Sequence, residues 1–240
     1  MSGALPRAGG RLPTRFLGRT TWAEQFNATR RPLVAVPIGS CEQHGPHLPL
    51  DTDTRIASAL ALALAESFGE GEVLVAPALA ITASGEHQSF PGTLSIGTAV
   101  LEQMVLELVR SADWSAGVVL VNGHGGNHEP VYNAVRQLQT EQRKVLAWWP
   151  KVEGGDAHAG DTETSMMLAL APELVRMNLA EAGNTAPVRS LLEAMREGGV
   201  RAVSPNGVLG DPSQANAAQG RAILTRLSID LVAAVDAWWE

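Results

Sequence analysis

The segment VAVPIGSCEQHGPHLPLDTDTRIASALALALAESF, residues 34–68, joins an apolar run to a helical pattern through a loop rich in glycine and proline. Residues 34–38 are short and rich in valine, as is typical of a buried strand, and residues 54–68 carry alanine and leucine at helical spacing. A strand that leads into a helix through a polar loop is the repeating unit of a parallel α/β sheet. The segment therefore predicts an α/β fold.

The same alternation continues along the chain. Short β-branched runs predict further strands at 73–81, 117–123 and 144–149. Apolar residues at helical spacing predict further helices at 98–112, 129–143, 162–170 and 217–238. The stretch 183–216 is rich in glycine and proline, and we expect loops there with one short helix near 189–196. Together these patterns predict a mostly parallel sheet with helices on both faces.

A chain of 240 residues can bury a sizeable core as one domain. We assign residues 31–240 to this domain and residues 1–30 to an N-terminal extension that is either flexible or swapped onto a neighbouring subunit. Paired tryptophans at 148–149 and 238–239 suit core packing or a subunit interface, and both interpretations stay open.

Composition excludes several classes of function. The net charge is −7 and no block of lysine or arginine could neutralise a row of phosphates, so we expect no nucleic acid partner. No apolar run approaches the length of a membrane span, so we expect no membrane insertion. The single cysteine, Cys41, rules out an internal disulfide framework and favours a reducing, cytoplasmic location.

The loop after the first strand combines imidazole and carboxylate groups. Glu42 and His44 are two residues apart, which in an extended segment turns both side chains to one side. Asp53 begins the following helix, and Pro46 and Pro49 restrict the path of the loop between them. Since open parallel sheets bind ligands at the carboxyl ends of their strands, we expect these three acidic or imidazole side chains to converge there.

Two later strand ends repeat this chemistry. His124 follows the strand at 117–123 and lies among glycines that allow close backbone approach to a bound group. His158 follows the next strand, and Glu163 comes five residues later. All six histidines lie in or beside loops, which is unlike a set of core histidines.

The set Glu42, His44, Asp53 and His124 predicts a metal site. Carboxylate and imidazole ligands without thiolate suit Zn(II), Mn(II) or Fe(II) alike. If Asp53 bridges two ions, with Glu42 and His124 on one and His44 on the other, the pair could activate water and polarise an amide carbonyl.

Other polar residues of these loops have simpler interpretations. We interpret Asp51 as a turn or cap residue and Cys41 as a small hydrophobe, because both should face away from the ligands. His47 and His128 are more typical of hydrogen-bonding loop residues than of ligands. The sequence NGHGGN lacks the lysine and the glycine spacing of a phosphate-binding loop.

The blocks GSCEQHGPHLPLDTD, SGEHQSFPGTLSIG, NGHGGN and HAGDTETS occur in this order along the chain. Together they resemble the signature blocks of the creatininase family of metal-dependent amidohydrolases. The resemblance covers residues 33–235, and several long blocks in order are more specific than one short motif. It implies a three-layer α/β/α fold, two divalent metal ions per subunit, hydrolysis of C–N bonds and a closed homo-oligomer.

The resemblance also implies residue roles. Glu42, Asp53 and His124 match the ligands of one metal, His44 and the bridging Asp53 match ligands of the other, and His158 matches a histidine that shuttles protons. Creatininase has a second-metal glutamate where this chain has Gly126. Our candidate replacement, both as ligand and in catalysis, is Glu163, whose alternative role is that of a first-turn glutamate favoured by the helix dipole.

Substrate contacts are expected from two of the same blocks. Glu86 and His87 are candidates to orient substrate, or else form a buried pair that anchors their loop. The glycine-rich turn adds Gly125, Gly126 and Asn127 as further candidates for substrate binding.

Within the family, the blocks SGEHQSFPGTLSIGT and GGDAHAGDTETS and the C-terminal region are similar to those of the creatininase-like peptidases of the mycofactocin system. That similarity implies cleavage of a ribosomally made precursor peptide before its modified C-terminal Val-Tyr, which releases a crosslinked dipeptide for redox-cofactor biosynthesis. Two alternatives stay open. One is a hydrolase of a small cyclic amide or formamide, and the other is a non-catalytic protein that binds a ligand through its metal.

Overall fold

The computed structural model describes residues 14–239 of the chain. Its sheet contains four strands, in the spatial order β2-β1-β3-β4. Their bounds are β1 Leu33–Ile38, β2 Val73–Val75, β3 Gly117–Asn122 and β4 Val145–Trp148. All three strand pairings are parallel. The α/β prediction with a parallel sheet is therefore confirmed.

Seven α-helices accompany the sheet in the described part of the chain. They are α1 Trp22–Phe26, α2 Thr52–Ser67, α3 Thr98–Ser111, α4 His128–Thr140, α5 Asp161–Leu170, α6 Val188–Val203 and α7 Ala217–Trp239. Among residues 14–239, no helix is both long enough and apolar enough to cross a membrane.

The helices cover both faces of the sheet, and the pleat of β1 shows how. Leu33 and Ala35 face the core shared with α2, α5 and α7. Val34, Val36 and Ile38 face the opposite core, shared with α3 and α4. Because successive strand residues point to opposite faces, a continuous apolar strand fits the middle of three α/β/α layers.

β2 and α6 differ most from their predictions, the other predicted boundaries lie within three residues of the observed ones, and α1 was not predicted. The regular part of β2 ends at Val75, although a strand was predicted over 73–81. Beyond Val75 the chain still follows β1, since the Leu79 amide donates a hydrogen bond to the carbonyl of Pro37. Pro77, between Val75 and Leu79, has no amide hydrogen to donate. The ladder is interrupted there for this reason.

The helix predicted at 189–196 is α6, which is longer than expected and includes a kink at Gly199. Gly199 has a φ of 70°, and a Cβ there would lie 2.7 Å from the carbonyl oxygen of Glu86. Glycine therefore permits both the turn and the close contact with the loop of Glu86.

Part of the predicted N-terminal extension packs on the domain. Phe16 forms a parallel bridge with Val75. The Arg15 guanidinium donates hydrogen bonds to the carbonyls of Ala65, Phe68 and Gly69, at the end of α2. Residues 1–13 of the extension lie outside the described residues.

Candidate metal centre

The loop after β1 brings its acidic and imidazole side chains into the interior. Its path is held by an antiparallel bridge between Cys41 and Leu94 and by the Glu42 amide, which donates to the carbonyl of Leu50. Glu42 and His44 are completely buried. Loop residues with this degree of burial need polar partners or a ligand, because burying charged groups alone is costly.

Asp53 lies in the first turn of α2 and faces two histidines with its two oxygens. Oδ1 is 3.0 Å from His44 Nε2, and Oδ2 is 3.2 Å from His124 Nδ1. The Ser40 hydroxyl donates to Oδ2 at 2.8 Å, which orients the carboxylate. The structure thus brings three of the predicted ligands together, with one oxygen of Asp53 facing each histidine.

Backbone carbonyls fix the tautomers of both histidines. His44 Nδ1 lies 3.1 Å from the carbonyl oxygen of Glu42, and His124 Nε2 lies 3.0 Å from that of Ala83. Because a carbonyl can only accept, these nitrogens carry the hydrogens. His44 Nε2 and His124 Nδ1 therefore face the carboxylates, and each can give a lone pair to a metal once its proton is displaced.

Glu42 supplies a direct test of whether a cation fits. Within residues 14–239, neither of its buried carboxylate oxygens has a hydrogen-bond partner. Oε1 is 3.1 Å from the ligating nitrogen of His124. Glu42, His44 and Asp53 each offer a ligand atom within 4.8 Å of the others. A buried carboxylate that no donor satisfies, beside two oriented imidazoles, fits a divalent cation.

Glu163 lies in the first turn of α5, on the His44 side of the centre. Its Oε2 is 3.9 Å from His44 Nε2 and accepts a hydrogen bond of 2.6 Å from the Ala159 amide. His44, His158 and Glu163 form a second group whose ligand atoms lie within 4.8 Å of one another. Glu163 combines the helix-start position with a place beside a predicted ligand.

His158 is buried against the other imidazoles. Its ring centroid lies 4.3 Å from that of His44 and 4.5 Å from that of His87. Its Nδ1 is 3.9 Å from Glu42 Oε1. The next residue, Ala159, has a φ of 53°, which is unusual for a residue with a side chain and marks local strain beside the site.

The charges of the centre oppose the effect of burial. Burial lowers the pKa of His44, but the negative charges of Asp53, Glu163 and Glu42 outweigh it and raise this pKa to about 10. Burial likewise lowers the pKa of His124, which Glu42 and Asp53 raise well above its usual value. Burial raises the pKa of Glu163 to about 7, against the opposing charge of His44. The site concentrates negative charge that a cation would neutralise.

Comparison with known proteins decides the family. The Creatininase family model, described as creatinine amidohydrolase, matches residues 18–235. The chain belongs to the creatininase family. It is therefore a hydrolase that acts on C–N bonds.

A relative from Mycolicibacterium smegmatis named "Mycofactocin precursor peptide peptidase" is 52% identical over 201 residues, 82% of this chain and 81% of the relative. The solved structure "Creatininase Mn" has a TM-score of 0.74 and 26% identity, covering 92% of this chain and 97% of that one. A creatininase mutant of Zn–Zn type, with glutamine in place of a glutamate, has a TM-score of 0.73 and 25% identity over the same shares. These solved structures confirm the creatininase-like fold.

Gly126 lies in a tightly packed place. A Cβ at Gly126 would lie 2.3 Å from Glu86 Oε1, 2.4 Å from His124 Nε2 and 2.6 Å from the carbonyl oxygen of Ala83. The Glu86 carboxylate is also 3.4 Å from His124 Nε2. Glu86, which the sequence suggested for substrate binding, thus contacts the Nε2 edge of the His124 ring, away from the Nδ1 that faces Asp53.

The neighbours of Gly126 differ in exposure. Gly125 is exposed, and a Cβ there would have no described atom within 4 Å. Asn127 is completely buried and ties loops together, since its amide donates to Gly39 and Asn122 and accepts from the Ala83 amide. Among these three substrate-binding candidates, Gly125 has the open surroundings that substrate contact requires.

The remaining polar residues of the loops lie outside the ligand set. His47 Nε2 pairs with the Thr164 hydroxyl at 2.8 Å, and burial together with the charge of His44 lowers its pKa to about 4. Asp51 precedes α2 and forms an ion pair with Arg55. The Cys41 thiol lies 3.8 Å from the carbonyl of Gly92.

Sequence reasoning missed two members of the site. Ser40 orients Asp53, and the Gln43 amide contacts both His87 and His158. Both residues belong to the same quoted loop as the ligands, and their position was the signal that could have found them.

Proposed function

We propose that this chain is a metal-dependent peptidase that acts on the mycofactocin precursor peptide. It cleaves the bond before the modified C-terminal Val-Tyr and releases the crosslinked dipeptide for redox-cofactor biosynthesis. The observation that carries the proposal is the 52% identity to a peptidase of that name over 82% of this chain. The buried ligand set, with Glu42 free of competing hydrogen bonds in the described chain, supports the metal requirement.

Two divalent ions, Zn, Fe(II) or Mn, complete the proposed centre. Glu42, His124 and Asp53 would hold the first ion, while His44, Asp53 and Glu163 would hold the second. The distances that join these side chains support both sets. When bound, the ions polarise the amide carbonyl and make water a stronger nucleophile at neutral pH.

His158 moves the proton in the proposed reaction. Burial and the neighbouring histidines hold its pKa well below the usual value, so the ring is neutral at rest. Its Nδ1 accepts a proton from the attacking water and then donates it to the nitrogen of the leaving dipeptide. The net change is the addition of one water across the peptide bond.

The assembly and location complete the proposal. Large apolar side chains remain on the surface, among them Trp22, Phe26 and Ile229, each at least 66% exposed, which supports a homo-oligomer. The lone cysteine, Cys41, is unpaired in the described chain and suits a reducing cytoplasm. We keep residues 31–240 as the catalytic domain.

Mass spectrometry of the crosslinked precursor peptide tests this function. The metal-loaded protein should release the C-terminal dipeptide, a chelator should stop the release, and added metal should restore it. Creatinine serves as a small cyclic amide for comparison. An intact peptide beside fully loaded protein would remove the peptidase assignment, and turnover of creatinine instead would support the small-amide alternative.

A further inference from the structure

The amide of Gln43 has an orientation that the backbone determines. Its Oε1 accepts a hydrogen bond of 2.9 Å from the amide of Gly45, and its Nε2 donates one of 3.1 Å to the carbonyl of Gly207. An amide hydrogen can only be donated and a carbonyl can only accept, so exchanging the two ends of the Gln43 amide would break both bonds. Gln43 Nε2 therefore has one hydrogen left to donate.

Two imidazole nitrogens compete for that hydrogen. Gln43 Nε2 is 2.8 Å from His87 Nδ1 and 3.0 Å from His158 Nε2. His158 Nε2 also lies 2.8 Å from the carbonyl oxygen of Gln43, to which it must donate. Because that nitrogen already carries a hydrogen, the free hydrogen of the amide goes to His87 Nδ1.

The two imidazoles consequently present opposite groups to the metal centre. His87 is unprotonated at Nδ1 and carries its hydrogen on Nε2, which is 3.4 Å from Glu42 Oε1. His158 carries its hydrogen on Nε2 and turns the lone pair of Nδ1 towards the same oxygen, at 3.9 Å. Glu42, His87 and His158 offer ligand atoms within 4.8 Å of one another. A donor and an acceptor thus stand side by side.

We propose that Gln43 is a positioning residue that fixes the tautomer of His87, and that His87 Nε2–H is the hydrogen-bond donor to the carbonyl oxygen of the substrate amide. This inference rests on the proposed peptidase function. As water adds, the carbonyl oxygen gains negative charge that the His87 donor stabilises, while His158 Nδ1 takes the proton that the water loses. His87 is then a catalytic residue and no metal ligand, since its facing nitrogen has no free lone pair.

The tautomer itself can be measured without substrate. In zinc-loaded protein labelled with ¹⁵N-histidine, NMR should show His87 protonated at Nε2 and unprotonated at Nδ1, with its signals assigned by their loss in His87→Gln. Gln43→Glu replaces the donor by an acceptor and should move the hydrogen of His87 to Nδ1. Gln139→Glu, an exposed site on α4, adds the same charge and should change nothing. A wild-type His87 protonated at Nδ1 would overturn the inference.

Turnover of the crosslinked peptide tests the donor. His87→Ala should lower kcat by about 10²–10³-fold, as the loss of one oxyanion donor does, with KM little changed and metal content equal to wild type. His87→Gln places an amide hydrogen near the position of Nε2–H and should keep kcat within about tenfold of wild type. The exposed His128→Gln serves as the matched control.

The outcomes separate the two levels of the proposal. Loss of metal in His87→Ala would make His87 a ligand and overturn the donor role. Equal losses of kcat in His87→Gln and His87→Ala would also overturn the donor role. If the wild type leaves the peptide intact, the peptidase function fails while the NMR result still decides the tautomer. These two variants also keep the test decisive if Gln43→Glu does not fold.

Discussion

Replacing Gly126 by alanine should disturb the metal centre through a single added methyl group. That Cβ would lie 2.3 Å from Glu86 Oε1, 2.4 Å from His124 Nε2 and 2.6 Å from the Ala83 carbonyl oxygen. The Glu86 side chain can swing away, but the carbonyl is backbone and the His124 ring is hydrogen-bonded to it. The His124 ring must therefore shift, and its Nδ1 with it.

The magnitude follows from overpacking a rigid site. We expect Gly126→Ala to lower the free energy of unfolding by about 1–3 kcal/mol, as extra methyl groups do in well-packed interiors. For a chain of this size that corresponds to a fall in Tm of about 2–12 °C. Because the His124 ring moves away from its position at the metal centre, we also expect a loss of metal affinity of about 10–100-fold.

Two assays and one control variant at the neighbouring glycine test this prediction. Thermal unfolding followed by circular dichroism gives the Tm, and competition with a chromophoric chelator gives the zinc affinity. Gly125→Ala is the matched control, because its Cβ has no described atom within 4 Å. If Gly126→Ala kept the Tm and zinc affinity of the wild type, as Gly125→Ala should, the packing argument around His124 would be refuted.

Three further outcomes follow from the site. His158→Ala should lower kcat by about 10²–10⁴-fold with unchanged metal content by mass spectrometry, and loss of metal would make His158 a ligand. Glu163→Gln should retain one ion per chain where the wild type holds two, and retention of both would leave Glu163 as a helix-start residue. Zinc should bind more weakly as pH falls. His44, with a pKa raised to about 10, and His124, with a pKa well above its usual value, hold protons that zinc must displace. Calorimetry at pH 7 in buffers of different ionisation enthalpy should detect their release, and a buffer-independent enthalpy would contradict it.

The sheet and most helices could be predicted because their signals are local. Valine-rich runs and apolar residues at helical spacing gave β1, β3, β4 and the helices of both faces. The two errors depended on tertiary contacts. Pro77 interrupts pairing along β1, and α6 is kinked at Gly199, where the backbone lies against the carbonyl of Glu86.

The candidate site divides in the same way. Glu42, His44, Asp53 and His124 could be predicted because each follows a strand end, where parallel sheets collect their ligands. Gln43 could not, since its partners lie 44, 115 and 164 residues further along the chain. A hydrogen-bond chain of that kind depends on distances that spacing does not give.

The central claim is that Asp53 bridges two ions, and the metal content of Asp53→Ala tests it most directly. Inductively coupled plasma mass spectrometry of the folded, zinc-loaded proteins should give two ions per chain for the wild type and nearly none for Asp53→Ala. The control Asp51→Ala removes a carboxylate two residues away that pairs with Arg55, and it should retain both ions. Full retention of two ions by Asp53→Ala would contradict the bridging assignment.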